Sequence, residues 1–331
     1  MRIALISDAW LPQINGVVTT LTKTCQILAG LGHAVESITP DRFRTWPCPS
    51  YPEIRLALGS GAKVTELLDE FRPEAIHVAT EGPLGVAARS YCVKRGLPFT
   101  TSFHTRFPEY VNMRFAVPLN WSYGYLRWFH GAGRRVMVAT PSLMDELRGK
   151  GFDHPTLWSR GVDANLFHPD SRMAVGDQRP IFLYAGRVAI EKGIEDFLKL
   201  DLPGTKYVVG DGPQRADLER KFPGTRFVGY KTGAELAGYI AAADVFVFPS
   251  RTDTFGLVIL EALACGVPVA AYPVQGPRDV LTDTRAGCLN ENLRQAALDA
   301  LALNSEDCRR FALQYSWHNC ARQFLANLEP F

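Results

Sequence analysis

At 331 residues, with 47% hydrophobic and 21% charged side chains, the chain has enough apolar mass for a core and enough charge to stay in solution, which excludes a wholly disordered polymer. Length alone points to about two domains. The formal charge of +2, from 36 basic and 34 acidic residues, is too small for the field of a nucleic-acid-binding protein, yet residues 1–165 carry 18 basic against 14 acidic side chains and residues 166–331 carry 18 against 20. The halves therefore differ in sign. Seven scattered cysteines without a Cys-x-x-Cys pair argue against a disulfide framework or a thiolate metal site and fit a reducing cytoplasm. The first eight residues lack the length and flanks of a signal peptide, and no window approaches a membrane span, so any membrane contact is expected to be peripheral.

In chain order, short apolar runs alternate with helical-period stretches, the pattern of parallel βα units with buried strands. Strands are expected at 3–7, 34–38, 75–79, 99–102, 136–140 and 156–160, with the first helix over 17–29. A polar stretch over 168–180, broken by Pro169, Gly176 and Pro180, reads as an interdomain linker. The alternation then restarts, with strands at 181–185, 206–209, 226–228, 244–248 and 267–271 and a continuously helical tail beyond Asn290. This gives three parts: a first doubly wound domain over 1–170, a second over 171–314, and a segment over 315–331 whose helix, 318–328, returns to the first. Open α/β sheets bind ligands beyond their strand C-termini, so the site is expected between the two domains.

Phosphate-binding signals lie at these strand ends. Gly16, at the start of the first helix, lets an anion approach backbone amides, although Asn15-Gly16 also reads as a turn and N-cap. Several Gly-x-Gly pieces occur, none with the third glycine of a dinucleotide fingerprint, and no Walker A sequence is present. Arg187 and Lys192 share the loop after the strand at 181–185, where two cations beside a helix start can grip a diphosphate. After the strand at 244–248 come Asp253 and then Phe255-Gly256, opening an apolar helix. Glu261 lies inside that helix, where a carboxylate needs a polar partner to offset desolvation. The two adjacent hydroxyls of a ribose would serve; so would a core arginine or amide.

Together these pieces resemble glycosyltransferase family 4, retaining enzymes of the GT-B fold. They comprise Asp253 and Glu261 within Thr252-Asp253-Thr254-Phe255-Gly256, Gly186-Arg187 with Glu191-Lys192, Gly210-Asp211-Gly212-Pro213, Arg160-Gly161-Val162-Asp163, and the first βα loop. The variant looks like the branch of α-mannosyltransferases and of the synthases that glycosylate or sulfoquinovosylate diacylglycerol. The resemblance implies two Rossmann-like domains facing across a cleft, with the C-terminal helix crossing back. It implies that Arg187 and Lys192 bind the donor diphosphate, that Glu261 holds the ribose hydroxyls, that the Phe255 and Gly256 amides meet the distal phosphate or sugar, and that Asp253 contacts sugar hydroxyls or supports the positive charge developing near the anomeric carbon. Gly16, Gly210, Asp211, Thr254 and Leu257 complete the donor set. His104, after a first-domain strand, would hydrogen-bond the transferred sugar or stabilise charge, so His104, Asp253, Arg187 and Lys192 form the catalytic group. Two departures from the family pattern are Asp253 for its usual Glu and Asn15-Gly16 for its usual Gly-Gly.

No Asp-x-Asp occurs, so no cofactor and a metal-independent reaction are expected, with Arg187, Lys192 and helix N-termini neutralising the leaving diphosphate. The resemblance implies retention through front-face attack. The acceptor is expected on the first domain, with Arg42, Arg44, Trp46, Arg106, Tyr110, Trp121 and Trp128 as candidates for acceptor or membrane contact. Aromatics interleaved with arginines over 120–135 suit an interfacial segment; the same Trp121, Tyr125 and Trp128 spacing also reads as the core face of a helix. The expected function is transfer of a hexosyl unit from a nucleotide sugar, UDP-glucose, UDP-glucuronate or GDP-mannose, to a lipid such as diacylglycerol at the inner face of the cytoplasmic membrane. A soluble glycosyltransferase acting on a polysaccharide or small glycoside, a sugar-nucleotide epimerase and a non-catalytic nucleotide-binding module are the alternatives.

Overall fold

The computed structural model describes residues 1–13, 15–48 and 51–331, with the side chains of 51–53 and 113–115 outside that description. The chain forms two units, one of Met1–Arg160 with Trp317–Phe331 and one of Gly161–Ser316.

The first unit contains β1 (Arg2–Ile6), β2 (Ala34–Ile38), β3 (Thr45–Cys48), β4 (Tyr51–Ala57), β5 (Ala75–Val78), β6 (Thr100–Phe103), β7 (Arg135–Val138) and β8 (Pro155–Leu157). Six of them make one parallel sheet in the order β2-β1-β5-β6-β7-β8. Ile3, Ala4, Leu5 and Ile6 are all fully buried, as expected of a strand covered on both faces, so its sequence is a continuous apolar run rather than an alternation. The antiparallel pair β3–β4 is a separate hairpin outside the sequence expectation, because Pro47 and Pro52 remove amide donors from strands that would otherwise read as such. The C-terminal helix Trp317–Asn327 closes the first unit: Phe324 packs 4.8 Å from the His77 ring and 4.9 Å from Trp158, and Asn327 Nδ2 donates to the Leu157 carbonyl at 2.8 Å.

The second unit contains β9 (Ile181–Ala185), β10 (Thr205–Val209), β11 (Thr225–Gly229), β12 (Val245–Phe248), β13 (Val269–Ala271) and β14 (Gly287–Leu289), all parallel in the order β11-β10-β9-β12-β13-β14. This is the doubly wound order, whose switch point lies between β9 and β12. The corresponding reversal in the first sheet lies between β1 and β5.

The stretch at 168–180 is a strap on the second unit rather than the linker. Arg172 Nε donates to the Ala241 carbonyl at 3.1 Å, Asp177 pairs with Arg226 at 2.8 Å, and Arg309 reaches the carbonyls of Ala164 and Phe167. Residues 161–170 therefore group with the second unit, and the first crossing falls at Arg160/Gly161, ten residues before the expected boundary at 170/171. Polarity and proline mark an irregular segment; they do not say whether side chains tie it down.

Candidate active site

At the switch point of the second unit, three loops are stitched together. Gly186 N–H donates to the Val209 carbonyl at 2.9 Å and Val188 N–H to the Asp211 carbonyl at 2.9 Å, locking the loop after β9 to the one after β10. Gly210 sits at φ +149°, and a Cβ there would stand 1.9 Å from the Gly186 carbonyl oxygen, so only glycine permits this approach. Thr252 Oγ1 donates to the Glu191 carbonyl at 2.9 Å, tying the loop after β12 to the one that carries Lys192.

This brings Lys192 and Asp253, 61 residues apart in sequence, into a 2.5 Å ion pair that is partly screened from solvent. Arg187 is half-buried in the same loop, its carbonyl accepting from Tyr184 Oη at 2.7 Å. Thr254 is half-buried and Phe255 buried, leading into Gly256 in the left-handed region at φ +84°. The helix Leu257–Ala264 begins there without a side-chain cap, whereas Asn15, Thr140, Asn292 and Asn304 cap other helices of the chain. An uncapped N-terminus presents free amides and the positive end of the helix dipole.

Glu261 lies one turn further on. Among the described residues its half-buried carboxylate accepts no hydrogen bond, and burial pushes its carboxyl up to about 7. Among the described residues neither core alternative, an arginine or an amide partner, meets it. Asp211 is spent locally: its carboxylate accepts from Gly212 N–H at 2.7 Å and from Arg215 at 2.9 Å. It shapes the turn, and its carbonyl braces the loop after β9.

In the first unit, the same topological position is filled by the chain itself. Asp8, at the end of β1, accepts from the Leu84 amide at 2.9 Å, the Gly85 amide at 3.3 Å and Thr80 Oγ1 at 2.9 Å. These amides open the helix Pro83–Arg95 that follows β5. Burial holds the Asp8 carboxyl above its ordinary range despite these bonds. The sequence expectation omitted Asp8; its signal is an acid directly after a buried strand. Gly16 starts the helix Gly16–Gly30, and Asn15 Oδ1 accepts from the Val17 and Val18 amides at 3.0 Å each, so the residue that replaces the family's first glycine acts as a cap.

His104 follows β6. Arg160 Nη2 approaches its Nδ1 at 3.3 Å, and burial, reinforced by Arg160, His77 and His130, holds its pKa well below that of an ordinary histidine. Tyr110 lies half-buried in the helix Phe107–Phe115. Arg106 is engaged by Glu146 at 2.5 Å and by Glu109 at 3.7 Å, which sets it apart from the open surface cations expected of a membrane contact. Arg42 pairs with Glu36, while Arg44 and Trp46 are exposed. In the helix Leu119–His130 the core face is Tyr123, Leu126, Phe129 and His130. The core reading of Trp121, Tyr125 and Trp128 is therefore overturned: Trp121 is 76% and Trp128 48% exposed, with the Arg89 guanidinium 3.9 Å above the Trp128 ring. Two helical faces here carry aromatics, so spacing alone could not choose between them.

Among the described residues no group of three or more His, Cys, Asp or Glu side chains is placed to hold a metal ion, and no helix is long and apolar enough to cross a membrane.

Residues 14–166 match the model described as Glycosyltransferase Family 4, and residues 179–304 match Glycosyl transferases group 1. A GDP-mannose-dependent alpha-mannosyltransferase of Mycobacterium tuberculosis is 30% identical over an alignment spanning 95% of this chain and 90% of that protein. The chain belongs to glycosyltransferase family 4. An alpha-monoglucosyldiacylglycerol synthase of Streptococcus pneumoniae is 26% identical to this glycosyltransferase, over 91% of this chain and 78% of the relative. Sucrose-phosphate synthase from Thermosynechococcus elongatus superposes with a TM-score of 0.79 at 22% identity, covering 98% of this chain and 97% of the other. The two Rossmann-like units of the glycosyltransferase are those of the GT-B fold.

Proposed function

We propose that this glycosyltransferase moves a hexosyl unit from a nucleotide sugar to a lipid acceptor such as diacylglycerol, with retention of configuration, as a peripheral enzyme at the inner face of the cytoplasmic membrane. The observation that carries the lipid half is the outward face of the helix Leu119–His130, where Trp121, Tyr125 and Trp128 meet solvent with the Arg89 guanidinium over the Trp128 ring. Rings of this kind enter a headgroup layer while arginines meet anionic lipid. The name of the streptococcal relative, a monoglucosyldiacylglycerol synthase, supports the same acceptor class, and that of the mycobacterial relative supports GDP-mannose as one donor to test.

In this reading the donor diphosphate lies on Lys192, Arg187 and the uncapped amides at Phe255 and Gly256, and Glu261 accepts from both ribose hydroxyls. The diphosphate competes with Asp253 for Lys192 and so releases the Asp253 carboxylate toward the sugar, where negative charge stabilises an anomeric carbon turning cationic. The bond from that carbon to the phosphate oxygen breaks, the acceptor oxygen bonds on the same face, and its proton passes to the departing diphosphate. No metal is required by this arrangement of cations and amides.

The test is a donor panel of UDP-glucose, UDP-glucuronate, UDP-galactose and GDP-mannose with diacylglycerol-containing anionic vesicles, followed by nucleoside diphosphate release and mass spectrometry of the lipid. The expected product is a hexosyl lipid from one donor. Absence of both release and product with every donor refutes the proposal, and transfer confined to soluble glycosides refutes its lipid half.

A further inference from the structure

Arg160 is the last residue of the first unit before the chain crosses over, and it is only 5% exposed. Among the described residues it has no carboxylate partner. Its Nη1 donates to the carbonyl oxygens of Trp158 at 2.5 Å and Ser159 at 3.1 Å, and its guanidinium lies 4.7 Å from the centre of the Trp158 ring. Trp158 is itself fully buried, edge-on to His104 at 5.7 Å, and anchored through Nε1 to the Cys320 carbonyl at 3.2 Å. A buried guanidinium is costly unless its donors are used, and a further polar atom that it meets is His104 Nδ1 at 3.3 Å.

Guanidinium nitrogens only donate, and arginine does not lose its proton in a protein. The proton shared by Arg160 and His104 therefore belongs to Arg160, and Nδ1 must offer its lone pair. A neutral imidazole with a lone pair on Nδ1 carries its proton on Nε2; a second proton on Nδ1 would break this bond and set two cations side by side. We propose that Arg160 is a positioning residue that holds His104 as the Nε2–H tautomer, making His104 a fixed hydrogen-bond donor to an oxygen of the sugar or phosphate instead of a group that gives or takes a proton. This rests on the reading that His104 faces substrate during transfer. The surrounding elements reinforce it. His77 on β5 has both ring nitrogens on hydroxyls, Thr100 Oγ1 and Ser102 Oγ at 2.8 Å each, and His130 in the helix Leu119–His130 has Nδ1 on Thr101 Oγ1 at 2.9 Å. Cys320, on the returning helix, directs its thiol to the Ser159 carbonyl at 3.1 Å. The carboxylate that meets this histidine cluster, Glu81, lies 3.2 Å from His130 Nε2.

The experiment is nitrogen–proton correlation NMR of the imidazoles in the full chain labelled at its seven histidines, with His104 assigned by its loss in His104→Gln. In the wild type, His104 is expected to keep one proton, on Nε2, across about pH 5.5 to 8.5. Arg160→Met is expected to let His104 titrate at least about one pH unit higher, and Arg160→Lys, which keeps a donor, to restore the wild-type pattern. In steady-state transfer, Arg160→Met should lower kcat and add an acid limb while changing donor KM less than about threefold, and His104→Gln, whose amide still donates, should keep within about tenfold of the kcat that His104→Ala loses by about a hundredfold. A proton on Nδ1 in the wild type, which needs no variant to observe, overturns the proposal at Arg160, as does an Arg160→Met spectrum identical to the wild type. Transfer by His104→Ala at the wild-type rate overturns it through the reading of His104 on which it rests, so the two failures are read by different instruments.

Discussion

The two switch points of this molecule have the same topology and opposite chemistry. Between β1 and β5, the Asp8 carboxylate takes the amides at the start of the helix Pro83–Arg95, and the chain satisfies its own anion-binding position. Between β9 and β12, the helix Leu257–Ala264 begins without a cap, Lys192 is held by the neighbouring Asp253, and Glu261 has no hydrogen-bond donor among the described residues. A Rossmann-like unit is thus not a nucleotide site by virtue of its fold. The two units share that fold and differ in whether the chain itself occupies the anion-binding position.

Four changes probe that contrast. The largest effect belongs to the open switch point. If Lys192 neutralises the leaving diphosphate as proposed, Lys192→Ala should lower transfer by about a hundredfold to a thousandfold with the circular dichroism spectrum unchanged, measured as nucleoside diphosphate release. A loss under threefold would take Lys192 out of the site. In the closed switch point, Asp8→Ala strands two buried amides and the Thr80 hydroxyl, and should lower unfolding stability in urea by about 2–3 kcal/mol while nucleotide affinity stays put. If it instead weakened nucleotide binding as much as Lys192→Ala, the contrast between the units would fail.

Glu261 gives a smaller effect with a definite sign. Burial raises its carboxyl from 4.5 to about 7 in the free enzyme, so the folded chain holds a proton that the unfolded chain has released. Stability contributed by this group is therefore lost as pH rises from about 4.5 to about 7. Glu261→Gln should abolish that loss and stabilise the protein at about pH 8, relative to about pH 5, by an amount on the order of 1–2 kcal/mol after discounting for the solvent its half-buried carboxyl still meets. Nucleotide binding by the wild type should tighten over the same rise in pH, because only the carboxylate accepts from both ribose hydroxyls, and Glu261→Gln should flatten this dependence in titration calorimetry. Binding that weakens with pH would contradict the assignment. Smallest of all, Trp121→Ser should reduce sedimentation with anionic vesicles by about fivefold to tenfold without altering nucleotide affinity; unchanged sedimentation would leave the exposed face without a role in membrane contact.

Much of this was legible in the chain before folding. The buried strands show as apolar runs because both faces of each sheet are covered, and the loops of the candidate donor site show through their residue types: a cation pair, an acid, a glycine opening a helix, and a carboxylate within an apolar helix. What was hidden depends on long-range pairing. Asp8 reads as an ordinary acid after a strand until Thr80, Leu84 and Gly85 close around it. Arg160 reads as part of a family motif, and its contact with His104, 56 residues away, needs the sheet order β6-β7-β8 to exist. The hairpin β3–β4 was masked by its prolines, and the strap at 168–180 by its polarity, since Arg172 and Asp177 hold it through partners more than forty residues distant.

The central claim is that the unfilled switch point of the second unit is the donor site. Crystals grown with UDP or GDP test it most directly. The account predicts the diphosphate against Lys192 and the amides at Phe255 and Gly256, the ribose hydroxyls on the Glu261 carboxylate, and the Lys192–Asp253 contact lengthened beyond its present 2.5 Å. A nucleotide bound elsewhere, or one that leaves Glu261 untouched and the Lys192–Asp253 pair intact, would contradict it.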